Sequence, residues 1–421
     1  MDVLPGMTAV VGSLALSLSL SLGLLPAAVA ATDETVPLPL SATDQQVYDN
    51  LELRSLAKRL GDDLTGMVID AQTGQEVWSR DPDERQIPAS TVKIITAVTT
   101  LETFGPEQRF ATRVMTGATD RRVVLVGSGD PSLSRDDLRR LAKRTAAAFQ
   151  VVGIQRIRVD VDDSLFPAPT HARGWKSSYT IRDVSPVRAL VVDQRRSWDT
   201  SLDAGRVFAR LLEKQGMRVR AVRRNARPDT STPIARVYGA PVAQQVTSML
   251  KTSDNDVAEG LHRLVAIENG YRPSWRGAMR AQSAVLARLG VTVDVGSVQD
   301  GSGLSRRDRL SPAQVTAVLR TAFDPAHPSL AVLQSGALAV AGVDGTLSSR
   351  YLRYVTSPTS CAAGLVEGKT GSLSGVIALS GLARGADGRL KVYSFLLNRV
   401  EADLRTRRAV DKLASTITGC W

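Results

Sequence analysis

Histidine is scarce in this 421-residue chain, and the few present are scattered. His171, His262 and His327 lack the paired spacing a zinc site needs, so no metal is expected and no cofactor is called for. Counting alone does not exclude a Ser-His-Asp triad, but no Gly-x-Ser-x-Gly elbow accompanies any serine. Cysteine is equally sparse. Cys361 and Cys420 are an even pair that suits a disulfide in an oxidising compartment, although two unrelated thiols would give the same count. Bridged across 59 residues, they would contribute about 4 kcal/mol in the chain-entropy model.

Negative charge is the minority sign, with 42 acidic against 53 basic residues, a net charge of +11 and a pI near 10. In a cytoplasmic protein this balance would suggest nucleic acid. One stretch, residues 8–25, has no charge at all and is followed by Pro26 and the small-x-small pattern Ala28-Val29-Ala30. That layout predicts a secretory signal over 1–30, cleaved after Ala30. The segment before it carries Asp2 and no Lys or Arg, so a retained membrane anchor of about eighteen residues is the rival reading. For an exported chain nucleic acid is not an expected partner. Anionic wall polymers or a membrane surface are, with solubility alone as the bland alternative.

Apolar content of 43% and charged content of 23% are those of a soluble globular protein, long enough for two domains. Residues 64–70 and 76–79 read as a hairpin around Ala71-Gln72-Thr73-Gly74. After Pro88-Ala89-Ser90 the pattern turns helical until Gly105-Pro106. Residues 108–236 alternate short β-like runs (123–126, 157–161) with helices at 136–149 and 202–215, which predicts an inserted α+β domain. Helices are expected from 242 to 250, over 257–267 and from Pro312, then a hairpin at 376–382 and 390–397 and a closing helix over 402–417. Strands near both ends with helices between predict one antiparallel sheet built from 31–107 plus 237–421.

Three short motifs carry the chemistry: Ser90-Thr91-Val92-Lys93, Ser253-Asp254-Asn255 and Lys369-Thr370-Gly371. Each alone is weak. Ser55-Leu56-Ala57-Lys58 also fits Ser-x-x-Lys, but its context reads as the solvated face of an N-terminal helix. The ordered set is the signature of active-site serine enzymes that process penicillin and D-Ala-D-Ala peptides. Lys93, one helical turn from Ser90, can act as base if burial and a neighbouring cation such as Lys369 lower its pKa. Ser253 can relay a proton, and Asn255 offers a donor and an acceptor to a substrate amide. Lys369 and Thr370 suit a carboxylate. Gly371 makes room for substrate along a strand edge, and the N–H groups of Ser90 and Ser372 suit an oxyanion.

On these residues the sequence resembles the low-molecular-mass penicillin-binding proteins with D-alanyl-D-alanine carboxypeptidase and endopeptidase activity. The similar branch carries a domain inserted between the first two motifs. Gly129-Asp130-Pro131-Ser132-Leu133, Asp163-Ser164-Leu165-Phe166 and the loop from Asp300 to Arg306 resemble it as well. The resemblance implies an α+β transpeptidase-like fold, an antiparallel sheet flanked by helices. It implies Ser90 as acylated nucleophile, Lys93 as base, Ser253 and Asn255 as second motif and Lys369 as third. Peptidoglycan stem peptides are then the substrates and β-lactams covalent inhibitors. In that branch an arginine at the position of Arg306 and an aspartate of the insert read the peptide's diamino-acid side chain. Asp162 is the candidate aspartate, with Asp163 equally placed. Ser90 to Ser253 spans 163 residues (253 − 90), short for the branch, so an outer subdomain is expected to be trimmed. A β-lactamase would bring the first two motifs closer together, and a non-catalytic wall-binding relative would have lost a motif residue.

Overall fold

Strand-forming runs from the two ends of the chain meet in one sheet. The computed structural model describes residues 39–421 apart from Ser335; the expected signal at 1–30 lies outside the described residues. Helix α1 (Ala42–Ser55) starts where the Ser41 hydroxyl accepts the Asp44 N–H. Strands β1 (Leu64–Asp70) and β2 (Glu76–Arg80) form a hairpin, with Asp70 Oδ1 accepting the N–H groups of Gln72 and Thr73 in its turn. A 3-10 turn over Ala89–Thr91 leads into α2 (Val92–Phe104), which is buried from Val92 to Leu101.

The next stretch builds a second sheet. It contains β3 (Ala111–Thr116), β4 (Arg122–Val126), α3 (Arg135–Val151), β5 (Arg156–Asp162), α4 (Thr200–Glu213), β6 (Arg218–Arg224) and β7 (Pro233–Tyr238). Its strand order is β6-β5-β4-β3-β7, parallel where β4, β5 and β6 meet and antiparallel at β3. Helices α3 and α4 cover one face, α3 opening on a capping box between Ser134 and Asp137.

Helices α5 (Val242–Thr252), α6 (Asn255–Glu268), α7 (Trp275–Arg288) and α8 (Pro312–Arg320) come next. They are followed by β8 (Ala339–Val340), β9 (Val366–Leu373), β10 (Val376–Arg384), β11 (Leu390–Asn398) and α9 (Leu404–Ile417). The main sheet is antiparallel throughout, in the order β2-β1-β11-β10-β9-β8. α1 and α9 pack on one face through Val47, Leu51, Val410 and Leu413. The opposite face buries Ile69, Leu382 and Val392 against α2, α5, α6 and α8. Cys361 and Cys420 are bridged, Cα to Cα 6.1 Å, which fastens the end of the chain beyond α9.

The hairpins at both ends and α2 fall where the sequence predicts them. The turn-helix α7 has no counterpart in the sequence reading. Ser55 is corrected: it ends α1 buried rather than on a solvated face, its hydroxyl donating to Glu52 O. No helix among the described residues is long and apolar enough to cross a membrane.

Candidate active site

The serine turn is held by close backbone packing. Ala89, just before Ser90, has a left-handed backbone (φ 49°), unusual for a residue with a side chain. Two glycines make room for it. A Cβ at Gly303 would lie 1.9 Å from Ala89 O, and one at Gly371 would lie 2.8 Å from Pro88 O. Gly371 therefore lets β9 approach the turn itself, not only a substrate. Ser253 is also left-handed (φ 60°, ψ 37°), at the break between α5 and α6. Asp254 takes the N-cap of α6 by accepting the Val257 N–H at 3.0 Å, which frees Ser253 to face the cleft.

Lys93 is fully buried, and its ammonium nitrogen bonds to three oxygens: Ser90 Oγ at 3.1 Å, Asn255 Oδ1 at 2.7 Å and the Ser302 carbonyl at 2.7 Å. Burial lowers its pKa to about 8, against the opposing pull of Asp300, Glu259, Asp254 and Asp256. The cation effect runs opposite to the sequence reading. Burial, helped by the charge of Lys93, pushes Lys369 well below the usual lysine range. Lys369 Nζ donates to Thr370 O at 2.7 Å and does not line the cleft. Asn255 is fully engaged, its amide donating to Asp183 O at 2.8 Å while its oxygen holds Lys93. In this structure it ties Lys93 to the Asp183 carbonyl.

Behind Lys93 a carboxylate cluster fixes the loop from Asp300. Glu259 accepts the N–H groups of Gly301 and Ser302, and burial raises its pKa to about 8. Asp300 accepts the N–H groups of Gly303 and Ser305, together with Trp175 Nε1 at 2.6 Å.

Ser90, Ser253, Thr370, Gly371, Ser372 and Arg407 line one cleft of about 290 Å³. β8 pairs with β9 only at Gly368 and Glu367, so from Lys369 to Leu373 that edge is unpaired by any strand among the described residues. An extended peptide can add there as a strand. Arg407 of α9, which the sequence reading did not single out, donates from Nη2 to Ser372 Oγ at 3.2 Å. Among the described residues it has no carboxylate within ion-pair distance, whereas its neighbour Arg353 is paired with the buried Asp411. Thr370 donates to Thr346 Oγ1 at 2.8 Å on the same wall.

Arg306 lies at the end of β9, donating from Nη1 to Ser374 O at 2.9 Å. Asp162 is not brought to the cleft. Its carboxylate accepts the Ser164 N–H and hydroxyl and the Arg227 N–H, and it lines a separate recess beside Arg113. The Asp163 side chain is bound by Arg188 and Arg224. The segment that approaches the site from between β5 and α4 is instead the one holding Trp175, Tyr179 and Val184, packed against Leu304 and Leu373. Its sequence signal is weak, an aromatic pair in a polar loop.

Comparison with known proteins agrees with this geometry. The model of the D-Ala-D-Ala carboxypeptidase 3 (S13) family matches residues 47–196 and 192–417. Carboxypeptidase Rv3627c of Mycobacterium tuberculosis is 34% identical over 85% of this chain and 80% of its own length. The D-alanyl-D-alanine carboxypeptidase of Actinomadura is 28% identical over 77% of this chain and 76% of its own. Penicillin binding protein 4 (dacB) from Haemophilus influenzae superposes with a TM-score of 0.73 at 20% identity, covering 88% of this chain and 98% of that one. A second structure of that protein, complexed with a novel β-lactam, gives 0.68 at 22% identity over the same shares. The fold is that of a penicillin-binding peptidase, and the chain belongs to the D-Ala-D-Ala carboxypeptidase 3 (S13) family.

Proposed function

We infer that this protein is an exported serine peptidase that releases D-Ala from D-Ala-D-Ala-terminated peptidoglycan peptides through an acyl-enzyme at Ser90. The observation that carries this reading is Lys93 Nζ, 3.1 Å from Ser90 Oγ, beside a cleft whose wall is the open edge of β9. Neutral Lys93 takes the hydroxyl proton as Ser90 Oγ attacks the carbonyl carbon of the penultimate D-Ala. The N–H groups of Ser90 and Ser372 are the proposed donors to the oxyanion. The amide C–N bond then breaks, a proton passes through Ser253 to the leaving nitrogen, and water hydrolyses the ester. A β-lactam follows the same path to a stable acyl-enzyme. A crosslinked strand can replace D-Ala as leaving group, which gives endopeptidase action.

Arg407 is the proposed reader of the terminal carboxylate. Lys369 is buried and held towards neutrality, while Arg407 presents a guanidinium to the cleft beside Ser372. The five-stranded sheet between Ala111 and Tyr238 supports reading 108–236 as an insert, reduced in its outer part, within a catalytic domain of 31–107 plus 237–421. Labelling with a fluorescent penicillin tests the account. Ser90→Ala should abolish the label and Ser55→Ala should keep it; a labelled Ser90→Ala protein would sink the assignment.

A further inference from the structure

The second sheet carries a basic face that the chemistry at Ser90 does not use. Val114, Val123, Ile157, Val159, Ala235 and Val237 point into the core under α3 and α4. Strand alternation sends their neighbours Arg113, Arg122, Arg156, Arg158 and Arg236 to the opposite side. The edge strand β6 adds Arg218 and Arg220. Register places these residues against one another: Arg113 opposite Arg236, Arg122 opposite Arg158 and Arg156 opposite Arg218. Like charges directly opposite each other destabilise a sheet. Among the described residues, the one carboxylate in an ion pair with this set is Asp160, 3.5 Å from Arg122. Stability alone would not assemble three such pairs.

Four of these arginines (Arg122, Arg156, Arg158 and Arg220), together with Arg121 just before β4, line a single recess of about 310 Å³. Arginine forks match phosphate oxygens in bidentate fashion and are weakly hydrated, which favours phosphate over a bare counterion. The recess spans β4, β5 and β6, roughly 10 Å at ~4.8 Å per step, and Arg113 and Arg236 lie four residues farther along the sheet, a spread too long for one phosphate and suited to a repeating one. No exposed large apolar side chain lies in the recess, so it lacks the anchor that insertion into a bilayer surface requires. We propose that this face binds a linear phosphodiester polymer and so tethers the enzyme to an anionic matrix.

The test uses the full chain and fluorescently labelled linear poly(glycerol phosphate), read by anisotropy across a salt series. About five phosphate contacts on a flexible strand give a log–log salt slope near −3.5, or roughly a hundredfold loss between 50 and 200 mM salt. The triple variant Arg156→Gln/Arg158→Gln/Arg220→Gln should bind at least about tenfold more weakly, with the slope reduced by about 2. Its release of D-Ala from a small soluble peptide should be unchanged. Its thermal midpoint should equal or exceed the wild-type value, because two like-charge pairs are relieved. A control removes three exposed arginines elsewhere, Arg272, Arg276 and Arg280, each changed to Gln. Equal weakening in that control would mean diffuse net charge and overturn the proposal. So would undiminished binding by the triple variant, a marked fall in its midpoint, or binding to vesicles of equal phosphatidylglycerol and phosphatidylcholine in place of the polymer.

Discussion

Replacing Arg407 by glutamine isolates the recognition of the substrate's free carboxylate. Glutamine can keep the hydrogen bond to Ser372 Oγ, now 3.2 Å from Nη2, but it removes the cleft cation that has no carboxylate partner among the described residues. Burial and the neighbouring Arg353 hold the Arg407 pKa below the usual arginine value, so an incoming anion relieves a local excess of positive charge. A charge-assisted hydrogen bond contributes about 1.5–3 kcal/mol, or about 10- to 150-fold in kcat/KM. Arg407 is partly exposed, so screening by salt favours the lower end, about tenfold at physiological ionic strength. The assay compares release of the terminal residue from an acyl-D-Ala-D-Ala peptide with release from its C-terminal carboxamide. Wild type should prefer the acid. Arg407→Gln should lose that preference while its kcat/KM on the amide stays within about twofold. Acylation by penicillin, which also carries a carboxylate, should fall in parallel with the acid. An unchanged preference, or equal losses on both peptides, would refute the reasoning.

The pH profile of penicillin acylation reports on Lys93, which acts as base only when neutral. With burial setting its pKa at about 8, the rate should climb about tenfold per pH unit up to that value and then level off; a flat profile from pH 6 to 9 would contradict the role. Changing Cys361 and Cys420 together to Ser should cost about 4 kcal/mol in urea unfolding, given 59 residues between them, and a loss under about 1 kcal/mol would show the tail is held by other contacts. Lys391 is buried among Asp44, Asp70 and Asp387, at 3.0, 3.3 and 2.9 Å. Lys391→Met leaves the three carboxylates with the more exposed Arg389 as partner and should destabilise by about 3 kcal/mol, with the midpoint recovering as the pH falls; equal stability at neutral pH would dismiss the network as a structural tie.

Much of this arrangement was legible because it is local. Ser90 and Lys93 lie one turn apart on a helix whose start and stop are written in Pro88 and Gly105. The β10–β11 hairpin is announced by its own turn. What escaped depends on pairings far apart in the chain. Strands β3 and β7 are adjacent although more than a hundred residues separate them, and nothing short-range in either specifies the other. Asp162 ends β5, where its carboxylate is held by the following turn and by Arg227, and the chain returns to the site only at Trp175–Val184. Arg407 stands in the run Arg405-Thr406-Arg407-Arg408, which reads as a solvated basic face. Only the docking of α9 beside β9 selects one of the three, 35 residues beyond Ser372, for the cleft.

The site also explains why the proposed catalytic residues, so close in space, can be drawn from segments so far apart. A left-handed Ala89 and a left-handed Ser253 each cost on the order of 1–3 kcal/mol, and such backbone persists only when its surroundings over-determine it. At Ala89 those surroundings are Gly303 and Gly371, whose missing side chains let two distant segments press on the turn from different sides. Gly303 belongs to the loop pinned by Glu259 and Asp300, and the Ser302 carbonyl of that loop also holds Lys93. Asn255 in turn joins Lys93 to the Asp183 carbonyl. The geometry of Ser90 and the position of Lys93 therefore depend on the same set of docked segments. The serine cannot take up its strained turn without β9 and the Asp300 loop in place, and once they are in place the lysine is already buried beside it. The proposed activation of Ser90 thus depends on the completed fold, a setting that the same Ser-x-x-Lys pattern at Ser55 does not have.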